Sequence, residues 1–333
     1  MQNDSQADFQ TLIASQIDVN KRLDAFLAEK IESWSRSKLA KLIENGDVLV
    51  NGKNVKSSYK IRENDEIEIE LNETFTENFE PENIPLDIIF EDEFLAVVNK
   101  KAGMVVHPAA GNLSGTLANA IAYHFKFQNL DSKLNSEIRN LQSAIRNRIG
   151  IVHRLDKDTS GLIVVAKNEE VQEKLSEQFR NREVFKSYIA LVHGYVREEN
   201  GKIDAPIGRD RNNRLKMSIN KNGRNAVSLW KIRERFDDFT LLEVEIKTGR
   251  THQIRVHLAS IKHGVVGDEL YNGGRDNNIK DVKIRKEIKK FNRFFLHAEK
   301  LSFKHPKTKQ VLEFRQDLPS ELQDFLAEIR KLS

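Results

Sequence analysis

Asp156 stands among cations in the run His153, Arg154, Leu155, Asp156, Lys157, Asp158, Thr159, Ser160, Gly161, Leu162. A carboxylate beside His153, Arg154 and Lys157 is kept ionised by its cationic neighbours, and it can then serve as a nucleophile or a base. The run lies between two apolar stretches, 150–152 and 162–166, whose β-branched residues favour strands. The aspartate is therefore expected on a loop held by rigid neighbours, which keep it aimed. Taken by itself, Asp156 reads more simply as a turn residue capping an amide near Thr159. His153, beside a strand, reads as a hydrogen-bonded core histidine rather than an acid or base.

Two distant segments carry side chains that suit such a carboxylate. The first is 186–192, a β-rich run containing Tyr188. There the tyrosine reads either as a half-buried sheet aromatic or as a ring facing a bound ligand, its hydroxyl available for proton transfer. The second is 248–257, Thr-Gly-Arg-Thr-His-Gln-Ile-Arg-Val-His. If Thr251–Lys262 is a helix, His252, Arg255 and Ala259 share one face, opposite Ile254, Leu258 and Ile261. The apolar face would pack on a sheet and leave Arg255 free to hold Asp156 through paired hydrogen bonds. With no cysteine there is neither a disulfide framework nor a thiolate zinc site. His252 and His257 do not follow the His-Glu-x-x-His pattern, so no metal is expected. No phosphate-cradling glycine loop indicates a nucleotide cofactor, and none is expected. The serine of Thr159-Ser160-Gly161 lacks the glycine of a nucleophile elbow.

The elements that must position these residues fill 333 residues, enough for two domains. Apolar residues make up 39%, sufficient for a core, and the net charge of +4 suits a polyanionic partner. No apolar run reaches the ~18 residues a membrane helix needs. The N-terminus is polar and has no signal-peptide core, so a cytoplasmic protein is expected, without membrane contact and monomeric by default. Residues 1–17 read as a flexible tail. In 18–75, Leu23, Phe26, Leu27 and Ile31 recur at helical spacing. Ser35 can cap a second helix with Leu39, Leu42 and Ile43 on its apolar face, and Gly46 can end it. Val48 and Val50 lead into an Asn51-Gly52 hairpin turn, and Ile67, Ile69 and Leu71 alternate as a strand. Residues 63–93 are acidic, and 76–86 read as a linker between domains. From 87 to 333 the chain reads as short strands with a few helices, namely 117–125, 169–181, 251–262 and 320–331. That pattern predicts an α+β domain around a mixed or antiparallel sheet. Two basic stretches, 209–224 and 275–293, read either as an extension of the surface that meets the polyanionic partner or as solvated loop; the stretch 275–293 has the character of a local insertion.

The run 153–162, taken with 186–192, 248–257, 296–298, 303–306 and 106–117, resembles the RluA/RluD-type RNA pseudouridine synthases. The resemblance covers nearly the whole chain after the tail. It implies isomerisation of uridine in RNA, with Asp156 as the catalytic residue, Arg255 as its partner and Tyr188 against the base. Arg154 would grip the extruded nucleotide or fill the space it leaves. Residues 18–70 resemble the small RNA-binding module called the αL motif, through Arg22-Leu23-Asp24, Ser35-Arg36-Ser37 and 48–52. That likeness turns Arg22, Arg36, Lys38, Lys41 and Lys53 from a solvated face into an expected RNA contact. The segment 206–210 also matches the family, which makes part of the first basic stretch structural. The RluD branch implies large-subunit ribosomal RNA as substrate. Lys262-His263-Gly264 and Gly223-Arg224 depart from the family's usual Gly-His-Pro and Gly-Lys. The residues leave open whether Asp156 attacks the base, attacks the sugar carbon or removes a ribose proton. Two other classes share part of the pattern. One is a non-catalytic ribosome-assembly factor. The other is a carboxylate-dependent glycosidic hydrolase, which needs a second acid, with Asp158 the only near candidate.

Overall fold

The computed structural model describes residues 9–31, 36–44, 46–70, 80–108, 112–128, 150–210, 213 and 216–331. They form two compact units. One comprises the described residues of Gln6–Thr74 with Pro206–Arg224, the other those of Phe75–Ala205 with Asn225–Ser333. Among the described residues no helix is long and apolar enough to cross a membrane.

The first unit contains β1 (Phe9–Ile13), α1 (Leu23–Lys30), α2 (Arg36–Glu44), β2 (Val48–Val50), β3 (Lys53–Asn54) and β4 (Glu66–Glu70). The strands form an antiparallel sheet in the order β1-β4-β2-β3. Strand β4 reads Glu-Ile-Glu-Ile-Glu, and its period of two buries Ile67 and Ile69. They meet Leu23, Phe26 and Leu27 of α1 and Leu39 and Ile43 of α2. Asn51 and Gly52 both have positive φ, 51° and 70°, as a tight hairpin turn requires. Ser35 and Leu71, expected as cap and strand end, lie outside the described residues.

Two expectations are corrected here, and a third holds. The tail 1–17 is not flexible throughout, because β1 pairs along its whole length with β4 and Ala14 is buried. Its short apolar run is enough once a partner strand is present. The strand expected through Ile67 and Ile69 forms as β4 inside the acidic stretch 63–93, since alternation of isoleucine outweighs acidic composition. Of the linker 76–86, residues 76–79 lie outside the described residues, and 80–86 is fastened down. Asn119 donates to the Glu80 carbonyl at 2.7 Å, the Gly115 amide donates to Glu82 at 3.0 Å, and Leu86 packs on the main core.

The second unit runs through β5 (Ile88–Glu91), β6 (Leu95–Lys100), α3 (Leu117–Gln128), β7 (Gly150–Ile151), β8 (Ser160–Ala166), α4 (Glu169–Arg180), β9 (Phe185–His193) and β10 (Asn200–Asp204). The chain then makes a hairpin, β11 (Ile207–Arg209) and β12 (Met217–Ile219), which groups with the first unit. Arg224 at its base is ion-paired with Asp47. The second unit resumes with β13 (Val227–Arg235), β14 (Phe239–Ile246), α5 (Gln253–Ser260), α6 (Val282–Phe291), β15 (Leu296–Lys304), β16 (Val311–Arg315) and α7 (Ser320–Arg330). Its sheet has the order β10-β13-β14-β9-β15-β8-β6-β5, with β16 on β15 and β7 on β8. Among the described strands of this sheet only the β8–β15 pair is parallel, so the sheet is mixed and the class α+β.

Strand β8 lies near the middle of the sheet and is buried on both faces. Ile163 and Val165 join the main core, while Leu162, Val164 and Ala166 join a second core under Val171 and Leu175 of α4. This explains its unbroken apolar run. Asn168 starts α4 by accepting from the Val171 amide at 3.0 Å. The segment 275–293 is largely ordered helix rather than solvated loop. Asp281 caps α6, and Ile284 and Ile288 are buried in the main core.

Across the sheet centre Gly161 pairs with Ala298, and Ala298 with Tyr188. Gly161 has φ +113°, and a Cβ there would stand 2.3 Å from the Ala298 carbonyl oxygen. Gly161→Ala is therefore expected to cost roughly 3 kcal/mol or more, as backbone clash adds to conformational strain. Urea unfolding measures this, and an unchanged midpoint would refute so close an approach of β8 and β15.

Candidate active site

The loop from β7 to β8 carries Arg154, Asp156 and Thr159. A turn closes it, with the Thr159 amide donating to the Asp156 carbonyl at 3.1 Å. Lys100, the last residue of β6, pins it from below. Its buried ammonium donates to the carbonyls of Lys101, Met104 and Lys157 at 2.9, 2.8 and 2.9 Å. Burial drags that lysine down to about 7. The Asp156 side chain keeps 17% exposure and opens on a pocket. Arg154, Tyr188, Gly249, His252 and Arg255 line it as well.

Arg255 comes from α5. The turn before that helix is clamped by Gln253, which accepts from the Thr248 hydroxyl at 2.7 Å and the Arg250 amide at 3.1 Å. It also donates to the Val227 carbonyl at 2.9 Å. His252, just ahead of the helix, is left-handed at φ 53°, an uncommon conformation for a non-glycine residue. The expected two-faced helix is corrected: every residue from Gln253 to Leu258 is buried, and His252 lies outside the helix. Arg255 itself is 4% exposed and has almost no water, so its charge must be matched internally.

Two carboxylates match it. Nη1 of Arg255 donates to Asp156 at 3.1 Å. Nε and Nη2 donate to the two oxygens of Asp268 at 2.7 and 2.9 Å, a forked pair. The guanidinium lies 4.2 Å from the Phe294 ring centre and 5.0 Å from that of Tyr271. Burial works against its charge, but Asp268 and Asp156 more than restore it and push its pKa up.

Burial likewise opposes the charge of Asp156, yet His252, Arg255 and Arg154 together hold its pKa below the ordinary carboxylate value. His252 is itself driven down to about 4 by burial, so at neutral pH the two arginines supply that field. Burial, then the Asp156 charge, push the Tyr188 hydroxyl up, which keeps it protonated. The site thus holds an anion and a neutral phenol around one pocket.

The structure brings Asp156, Arg255, Tyr188 and Arg154 together. Nε of Arg154 is buried and has no hydrogen-bond partner among the described residues. Asp158 does not line the pocket; its charge acts on Lys100 and Arg293. His153 accepts from the Val164 amide at 3.0 Å, stacks on Phe179 and is driven down to about 3 by burial. In the first unit Arg22 and Arg36 both pair with Asp24, at 3.0 and 3.2 Å, and Lys53 is exposed on β3. Lys38 and Lys41 lie on α2, with side chains outside the described ones, and Arg211 and Arg214 are outside the described residues. Sequence reasoning missed Asp268, Tyr271, Phe294 and Lys100. A lone aspartate after a glycine carries no local signal of an ion pair made across the fold.

The site thus presents an ionised carboxylate to a pocket, on a unit built around a mixed sheet, in a chain that also carries a small helix-and-hairpin unit. Comparison with known proteins narrows this. The family described as RNA pseudouridylate synthase matches residues 94–260, and the S4 domain matches 21–67. An RNA pseudouridine synthase of Bacillus subtilis is 40% identical over 320 residues, spanning 96% of this chain and 98% of its own. The ribosomal large subunit pseudouridine synthase D of Xanthomonas campestris is 38% identical over 313 residues, 93% and 89% of the two chains. That of Escherichia coli is 37% identical over 323 residues, 96% and 94%. The solved structure of human RNA pseudouridylate synthase domain containing 4 shares the fold at TM-score 0.56 and 23% identity, over 73% of this chain and 93% of that one. The chain belongs to the RNA pseudouridylate synthase family, RluA/RluD type, with an N-terminal S4 domain. It is an isomerase that acts on RNA.

Asp268→Ala leaves Arg255 without its forked partner, and breaking a buried pair from one side costs about 3–5 kcal/mol. Asp268→Asn keeps the shape and should cost less. Chemical denaturation of both variants checks this, and parental stability in Asp268→Ala would show that the fork carries nothing.

Proposed function

We propose that the chain converts uridine to pseudouridine in large-subunit ribosomal RNA and that Asp156 is the carboxylate that acts on the nucleotide. The observation that carries this reading is the 3.1 Å contact between Asp156 and Arg255 in the pocket they share with Tyr188 and Arg154. The reaction breaks the bond from C1′ to N1 of the base, turns the base and joins C1′ to C5. A proton leaves C5 and one is gained at N1, so no atom is added or lost. A single anionic side chain near the ribose and base suits this chemistry. Asp156 is ionised, aimed by Arg255 and partly open to the pocket.

Tyr188 provides a flat ring beside Asp156 for the turning base to lie against. Its hydroxyl, kept protonated, is a donor rather than a second anion. Arg154 holds the extruded nucleotide, since its buried Nε has a donor to spare. Arg22, Arg36, Lys38, Lys41 and Lys53 of the S4 unit contact the RNA backbone, which is read by charge and not by sequence. The ribosomal target rests on the names of the relatives from Xanthomonas and Escherichia. A hydrolase is disfavoured because Asp158, the second acid it would use, does not line the pocket.

Asp156→Asn is expected to abolish pseudouridine formation while RNA binding persists. Mapping modified uridines in ribosomal RNA incubated with each protein reads both activity and target, and a variant that still isomerises sinks the assignment. Because the Asp156 pKa is lowered, the wild-type rate should not decline as pH falls from neutral toward the ordinary aspartate value of about 3.9. Loss belongs below that value, and a rate halved near pH 6 would contradict it.

A further inference from the structure

Lys186 stands two residues before Tyr188 on β9, so both side chains leave the same face of the strand. It is only 9% exposed. Among the described residues its ammonium makes no hydrogen bond and no ion pair. Its contact is the Phe179 ring, 5.2 Å away, whose own stacking partner is His153. The Lys186 nitrogen lies 3.9 Å from the point where a Gly249 Cβ would be. Gly249 and Arg250 both line the Asp156 pocket.

The contrast with Lys100 is informative. Lys100 is also buried, and three carbonyls receive its ammonium. That is how a structural lysine is satisfied. Lys186 has no such acceptors, and a buried cation without a partner is unfavourable. Burial, then the nearby Arg250 charge, lower it to about 8, so at neutral pH it remains mostly protonated and uncompensated. An anion is the missing component, and the exposed Gly249, lacking a side chain, leaves the ammonium within reach of the pocket rim.

We propose that Lys186, at the rim formed by Gly249 and Arg250, binds a phosphodiester of the RNA strand beside the uridine held over Asp156. This rests on the reading of the Asp156 pocket as the active site. The contact positions the strand and takes no part in bond making. The backbone phosphate next to the target is the anion an extruded nucleotide necessarily brings with it.

The test uses the full chain and a synthetic RNA containing a uridine that the wild type modifies. Lys186→Met keeps the aliphatic packing on Phe179 and removes the charge. KM should rise about tenfold, with turnover at saturating RNA falling much less. The slope of log(kcat/KM) against the logarithm of salt concentration should shrink by roughly one contact. Lys186→Arg should recover most of the loss. In parallel, single methylphosphonates neutralise the phosphates flanking the target. One of them should raise the wild-type KM about tenfold and leave that of Lys186→Met unmoved. The proposal fails if Lys186→Met keeps the wild-type KM and salt slope, or if each methylphosphonate affects both proteins equally. Should Lys186→Met not fold, the wild-type series decides: no sensitive flanking phosphate means no such contact. Asp156→Asn is run beside these. If it is inactive while Lys186→Met behaves as wild type, the phosphate contact alone is lost. If Asp156→Asn is active, the active-site reading falls and this proposal with it.

Discussion

Arg255 is buried, so its positive charge has to be matched inside the protein. Asp268 takes two of its donors in a fork, and the remaining edge is aimed at Asp156. The order of these bonds matters. Because Asp268 already balances the guanidinium, Asp156 is held in place without being fully neutralised. The group of three carries a net negative charge, and it lies on the side open to the pocket.

The fold supplies what this arrangement needs. Asp156 comes from the loop before a central strand, Arg255 from an enclosed helix, and Tyr188 from a strand one removed across β15. Gly161 lets β8 and β15 approach closely, which sets the spacing between the Asp156 loop and Tyr188. Lys100 ties the loop to the end of β6 through the Lys157 carbonyl, while its other two acceptors, the Lys101 and Met104 carbonyls, lie just after β6. The apolar rings of Phe294 and Tyr271 lie against the guanidinium and limit its motion. Each support comes from a different segment, so the site exists only when the sheet has closed.

Cations in this chain fall into kinds that composition cannot separate. Lys100 and Arg255 are internal struts, each with its acceptors. Arg22 and Arg36 share Asp24 at the surface of the S4 unit. Lys186 is buried like the struts, though less completely, and has no acceptor among the described residues. A net charge of +4 counts all of them alike. Only the partners that each nitrogen finds tell a strut from a group held ready for an anion.

Local order made much of the fold legible. Helical spacing located α1 and α4, alternation located β4, and the unbroken apolar run 162–166 marked a strand buried on both faces. The motif around Asp156 was legible too, since ten consecutive residues carry more information than composition does. What the sequence could not show was partnership across the chain. Nothing near Asp268 announces Arg255, and Lys100 reads as one charged residue among many. Strand β1 looked like part of a polar tail because its stability comes from β4, more than fifty residues away. The hairpin 206–224 sits inside the second unit's sequence yet groups with the first, through contacts such as Arg224 with Asp47. Sequence determines the types of side chain and their local periodicity. Which charges are buried, and therefore which must find one another, is decided when the core excludes water.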